Sequence, residues 1–282
     1  MPDRGREARR SRGDTRLRLA SPFRLAGLRP AAPPSEAVVL GWRQFRLERR
    51  MFWRNPSAAF FNFALPLLFL VAGGAILSGR QHDLSLLVPA IAGMAVMSTT
   101  FTALAYNIVF LRERGVLKRI HGTPLPAGSY FGGVAANAVT NTALQIAIIT
   151  IAGRLFFGIG WPRDWIELIV FVAVGVVCFA ALGVAFAHTI PNFESTAAYV
   201  NAVFLPVVFV SFYVFDSKSA PAFLRHIAEA LPLKPLIDGL YGAMVTGSGI
   251  GTNISDLVVI ALWGAFGAVF AVRGFSWEQR RS

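Results

Sequence analysis

Between Ser57 and Val272 the chain is dominated by long apolar runs, and no other feature constrains its fold as tightly. A run of about 18 or more apolar residues with few charges reads as a membrane-spanning helix, since ~30 Å of hydrocarbon is crossed at ~1.5 Å per residue. Six runs meet that description, at about 57–77, 84–110, 130–153, 165–187, 196–215 and 254–272, with Pro66 inside the first and Pro206 inside the fifth. Only 15% of the residues are charged, against about 25% in a soluble domain, and mean hydropathy is +0.55. The expected fold is an all-α polytopic membrane protein with six transmembrane helices, which leaves few residues for a soluble catalytic domain.

The formal net charge is +12, and 14 of the 27 Lys and Arg lie in residues 1–56, ahead of the first run. A basic flank of this kind suits a cytoplasmic face beside anionic lipid. No basic-aromatic module accompanies the charge, so nucleic acid is not an expected partner and membrane lipid is. The single cysteine, Cys178, lies inside an apolar run and reads as a small buried hydrophobe. Residues 1–34 are rich in Arg, Pro and Gly and read as a disordered basic tail. No apolar core follows Arg9, Arg10 and Arg12, so they do not form a signal peptide.

Residues 35–56 read as an amphipathic interfacial helix, with Ser35 as N-cap and Asn55-Pro56 as its stop. Val38, Trp42, Phe45 and Phe52 share one face, while Arg43, Arg46, Arg50 and Arg54 lie mostly elsewhere. Such a helix places Trp at headgroup depth and lets Arg snorkel to water.

Orientation follows from the positive-inside rule. With both termini in the cytoplasm, the segments on that side carry 21 Lys and Arg and those on the other side 6. That choice makes 273–282 a cytoplasmic tail and places the loop 111–126, LRERGVLKRIHGTPLP, on the same side. The loop is dense in charge: Arg112, Glu113, Arg114, then Gly115, Lys118 and Arg119, before a stop at Gly122, Pro124 and Pro126. Residues 112–120 can form a short helix that exposes Glu113, Arg114, Lys118 and Arg119. Glu113 stands five residues before Lys118, so the two are not an ideal i,i+4 pair and Glu113 is expected to face a partner, the plainer alternative being a solvated positive-inside loop. On the outer side, residues 220–231 (APAFLRHIAEAL) and 235–244 (PLIDGLYGAM) read as two short re-entrant or interfacial helices.

The chain has no phosphate-binding G-x-x-x-x-G-K-[ST] run and no metal-ligand spacing, and the four histidines are scattered. Glu167, His188, Glu194 and Asp256 lie near run ends, with Arg154 just beyond one, so an acidic relay through the membrane is not expected. Uncharged polar residues do occur inside the runs: Asn62, Asn107, Asn137, Asn141, Gln145 and Asn201. Asn137, Asn141 and Gln145 repeat at i, i+4 and i+8 and share one helix face. They can serve as helix–helix glue, the simpler reading, or as a weakly polar path for an amphipathic substrate.

A membrane domain with no visible energy source needs work delivered by another chain. At this point the sequence resembles a family. The run Arg112-Glu113-Arg114-Gly115-Val116-Leu117-Lys118-Arg119, followed by Thr123-Pro124-Leu125, looks like the first cytoplasmic loop of ABC-2-type transporter permeases, among them the daunorubicin-resistance-type exporters. The resemblance extends over about residues 36–275. It implies a permease of a bacterial cell membrane that has no ATPase of its own and works as a dimer. Two copies of a separate ATP-binding-cassette subunit would bring ATP and Mg, with no cofactor in this chain. In that scheme Arg112, Glu113, Arg114, Gly115, Lys118 and Arg119 form the coupling element. The helix carrying Trp42, Phe45, Arg46, Arg50 and Phe52 packs near it, and an amphipathic drug-like or lipid-like substrate moves outward. Export of a glycan or lipid-linked polymer by the same fold is the alternative. A lipid-modifying membrane enzyme, or a membrane scaffold, would be a different class.

Overall fold

The computed structural model describes residues 34–77, 81–115, 127–216 and 221–274. Lys118, Arg119, residues 122–126 and the two chain ends, 1–33 and 275–282, lie outside them. Among the described residues every regular element is helical: α1 (Pro34–Arg54), α2 (Pro56–Ile76), α3 (Gln81–Met97), a π-helical turn (Ser98–Thr102), α4 (Ala103–Glu113), α5 (Ala127–Phe157), α6 (Trp165–Ala187), α7 (Thr196–Asp216), α8 (Ala222–Ala230), α9 (Leu233–Tyr241), a second π-helical turn (Gly242–Thr246) and α10 (Ile254–Gly274).

Five stretches are long and apolar enough to cross a membrane: Ala59–Ile76, Leu84–Glu113, Gly132–Phe157, Trp165–Ala187 and Ile254–Arg273. In α7 the apolar stretch is the shorter Thr196–Phe212. These helices are apolar nearly all round, the pattern of a segment surrounded by packed helices and lipid rather than by water. Pro66, Pro89 and Pro206 sit inside helices, which neighbouring helices and local adjustment tolerate in membrane bundles.

Helix α5 organises one half of the molecule. Its 31 residues extend about 46 Å, well beyond a ~30 Å hydrocarbon core. Helices α1 and α2 lie end to end along it and point the same way. Ser129 Oγ donates to the Ala37 carbonyl at 2.9 Å, and Arg49 Nη1 to Asn141 Oδ1 at 2.6 Å. Farther along, Gln145 Nε2 donates to the Asn62 carbonyl at 2.6 Å, and Gly74 faces the Phe157 ring. Small residues permit the approach: a Cβ on Gly133 would stand 2.7 Å from Gln44 Cβ and 2.9 Å from the Phe45 nitrogen.

Helices α6 and α10 form the other half, and they too run parallel and in register. Gly264 lies against Cys178, and Gly267 against the Leu182 nitrogen, where a Cβ would come within 2.8 Å. Small residues at such a crossing let backbones approach and gain dispersion contacts, the main attraction where solvent is already apolar. Gly183 seats α6 on the first π-helical turn, directly against the Phe101 carbonyl.

The two short helices differ. In α8, Phe223 and Ile227 are exposed, and the Trp263 indole holds its end by donating to the Ala230 carbonyl at 2.7 Å. In α9, Leu233, Leu236, Ile237 and Leu240 are all fully buried among α3, α6, α7 and α10. Helix α9 is thus a plug driven into the bundle, and Gly239 gives the Phe171 ring its room. The plug also carries an i,i+4 ion pair, Lys234–Asp238, into the packed body.

Candidate functional site

Two constellations meet at the end of the molecule that holds the end of α4, the start of α5 and the end of α6. The first joins two connecting segments. Helix α4 continues to Glu113 and closes at Gly115, which adopts φ +65° and donates to the Arg112 carbonyl at 3.1 Å. A left-handed glycine is a common helix terminator. The separate short helix expected from residue 112 onward is therefore replaced, as far as Gly115, by the end of α4 and a glycine turn. Residues 116–120 lie outside the described residues.

The side chain of Arg112 turns toward α6. Its Nη1 donates to the Ala187 carbonyl at 3.0 Å, and its Nη2 donates to the carbonyls of Ile190 and, at 3.4 Å, Pro191. The last carbonyls of a helix have no partner within it and carry partial negative charge, so a guanidinium is a fitting cap. Glu113 Oε1 accepts the Phe193 backbone N–H at 3.3 Å. Phe193 in turn packs edge-on against Phe110, with ring centroids 5.5 Å apart, and Arg114 lies over the other ring at 4.6 Å. Glu113 is exposed, as the sequence reading expected, but its carboxylate is engaged with residues 188–195. Consecutive residues of α4 thus clamp the segment between α6 and α7 and make one platform of two loops.

The second constellation is a cavity of about 400 Å³ between α1, α2, α4 and α5. Asn62, Asn107, Asn137 and Asn141 all line it, with Asn55, Thr99 and Glu48. Four of the six polar residues singled out in the sequence therefore converge on one space. Gln145 lies one turn beyond Asn141 and is spent on the Asn62 carbonyl, as glue. Asn201 stands apart, exposed on α7. Asn141 is 6% exposed and holds Arg49, and Thr99 and Thr142 share a hydrogen bond of 2.8 Å across the α3–α5 seam. Thr99 belongs to the π-helical turn, a form that widens a helix locally and recurs at functional sites. Asn137 Oδ1 and Gln145 Oε1 are buried without a hydrogen-bond partner among the described residues.

Of the residues picked out on α1, Phe52 lines the cavity. Trp42 and Phe45 pair at 5.1 Å, and Arg46 lies over the Trp42 ring at 5.6 Å, on the outward side. Arg50 is exposed. Two neighbours missed by the sequence reading matter more to the site, Glu48 and Arg49. Glu48 accepts from Gln44 Nε2 at 2.8 Å, and burial pushes its carboxyl above the ordinary 4.5, partly offset by that hydrogen bond. In sequence it sits among Arg46, Arg49 and Arg50 and reads as one more charge on a solvated face. Its only sequence signal is its spacing of seven from Gly41, on the side that meets α5.

Glu167 was also underestimated. It is fully buried in the first turn of α6, where it accepts from Asn253 Nδ2 at 2.7 Å and the Gly249 N–H at 3.2 Å. It belongs to the opposite end, where it ties α6 to the turn before α10.

A family model described as ABC-2 type transporter matches residues 36–245, about three-quarters of the chain. The chain belongs to the ABC-2 type transporter family. This ABC-2 protein is 26% identical to nodulation protein J of Rhizobium meliloti (strain 1021), over 70% of its own length and 79% of the relative's. It is 24% identical to the putative transport permease ycf38 of Pyropia yezoensis, over 75% of each chain. It is also 24% identical to the linearmycin resistance permease protein LnrN of Bacillus subtilis (strain 168), over 65% of this chain and 47% of that one.

Proposed function

We propose that this ABC-2 permease is the membrane subunit of an exporter driven by a separate ATP-binding-cassette ATPase, which docks on the platform built by Arg112 and Glu113. The clamp is the observation that carries the reading. Through it, a force applied at the end of α4 reaches α6 and α7 at once, because both the helix-end carbonyls and the Phe193 N–H are held by adjacent side chains. The exposed Arg114 and the basic residues Lys118 and Arg119 then supply charge for the partner's surface. The Lys and Arg distribution supports a cytoplasmic location for this end, where ATP is available. Exposed apolar side chains on α2 and α10 fit lipid and a second permease subunit. The linearmycin resistance permease among the relatives favours a drug-like, amphipathic cargo, and α7 would complete a set of six spans. Purification from native membranes tests the reading. The permease is expected to retain a nucleotide-binding subunit whose ATP hydrolysis depends on it, and a complex without such a subunit would reject the proposal.

A further inference from the structure

We propose that the cavity beside Glu48 is a binding site for amphipathic organic cations of drug size, with Glu48 as the residue that selects their charge. The inference rests on reading the chain as a transport subunit, and it adds the class of molecule the cavity takes. A volume of about 400 Å³ falls within the range of small-molecule pockets, which are mainly apolar with a few placed polar groups. Met51, Phe52, Leu104 and Val134 supply the apolar wall, and Asn107 and Asn137 the polar groups.

The decisive feature is an uncompensated charge. Glu48 is largely shielded from water, yet it has no ion-pair partner among the described residues, only the Gln44 amide. The adjacent cation, Arg49, points elsewhere: its guanidinium donates to Asn141 and lies over the Trp53 ring at 5.7 Å. A shielded carboxylate without a counter-charge is costly, and a cation entering the cavity removes that cost. An ammonium group beside Glu48 would find a second acceptor in the free Asn137 Oδ1. An anion would meet Glu48 with like charge, and a neutral polyol would satisfy the asparagines but leave the carboxylate unmatched. Of the lining residues, Met51 and Asn55 at the α1–α2 break and Ala103 on α4 are exposed. A molecule with a charged head and an apolar body, partitioned into the headgroup region, would be positioned to enter past the exposed residues of the α1–α2 break.

The test uses the full chain in lipid nanodiscs, without any ATPase, and the fluorescent cation rhodamine 6G. Polarisation should report saturable binding beyond that of empty discs. Glu48→Gln should weaken it about tenfold or more, as expected when a charge-assisted contact is lost from a shielded site, and Glu48→Asp should restore part of it. A second measurement does not depend on how the Glu48 variants fold. Cys178 is 1% exposed, so Ala103→Cys puts one accessible thiol in the cavity wall. Rhodamine 6G should protect that thiol from maleimide, and the neutral sugar amphiphile octyl glucoside should not. Unchanged affinity in Glu48→Gln, absent protection, or equal protection by octyl glucoside would each overturn the proposal. Since no ATPase is present, these results stand or fall apart from the coupling reading.

Discussion

Helix α9 and the end of α4 secure opposite ends of this molecule by different means. Around α9 the contacts are apolar and closed: four large side chains are fully buried, and Glu167 has its oxygens on Asn253 and Gly249. At the end of α4, beyond the buried Ile108 and Val109, the hold on residues 187–193 mixes one guanidinium on backbone carbonyls, one carboxylate on a backbone N–H and the Phe110–Phe193 ring pair, beside a cavity that burial does not fill. Close-packed interiors resist small displacements, whereas a few hydrogen bonds can be exchanged for others at little cost. If an ATPase docks at the α4 end as proposed, that contrast predicts a fixed pivot at the α9 end and the moving part at the α4 end.

The contrast can be broken by substitution, and the largest effect belongs at the pivot. Gly239→Leu would drive a side chain into the space of the Phe171 ring, which is itself fully buried. Overpacking of that kind should destabilise by about 3 kcal/mol or more, read as a collapse of thermal stability and yield in detergent. Next comes Glu167→Ala, which removes the acceptor of the Gly249 N–H and one of the two acceptors of the Asn253 amide, the other being Ser248 Oγ. A loss of about 2 kcal/mol is expected in the same measurement.

At the moving end, effects on stability should be smaller and effects on transport larger. Arg112→Ala should cost about 1 kcal/mol, raise amide exchange in residues 188–195, and uncouple ATP hydrolysis from export in proteoliposomes. Glu113→Arg should uncouple similarly while the protein remains in the membrane. Full export by either variant would remove the clamp from the mechanism.

The smallest effect sharpens the picture of the cavity. Because burial raises the Glu48 pKa above 4.5, the folded state binds that proton more tightly than the unfolded chain does. Stability therefore falls as pH rises from 4.5 through the raised value, and it is recovered on acidification. Glu48→Gln should flatten that part of the profile, read as a Tm that no longer falls as pH rises from 4.5 to 7.

Most of the helices were legible in the sequence because a membrane span declares itself by length and composition, with no knowledge of its neighbours. The two short helices between α7 and α10 were legible too, from Pro221 and Pro232 flanking a stretch too short to cross, although the second begins at Leu233 and takes Pro235 into its first turn. What the sequence did not disclose is what each polar group meets. Arg112 caps backbone carbonyls, and every residue has one, so no pattern marks Ala187 or Ile190 as its target. Glu167 finds Asn253 only because α6 and α10 run in register, which Gly264 and Gly267 decide in three dimensions. The asparagine stripe was visible on one helix, but its meeting with Asn62, Asn107 and Glu48 depends on how closely Gly133 lets α1 approach α5.

The central claim is that the α4 end receives work from an ATPase. Arg114 is exposed, and the chain's single native cysteine is buried, so Arg114→Cys offers one reactive position on the platform. Ser248→Cys, also exposed, offers one at the opposite end. With a short bifunctional cross-linker in native membranes, the account predicts a nucleotide-sensitive adduct between Arg114→Cys and a nucleotide-binding subunit, and none from Ser248→Cys. An adduct from Ser248→Cys alone, or none from either position in a complex that still hydrolyses ATP, would contradict it.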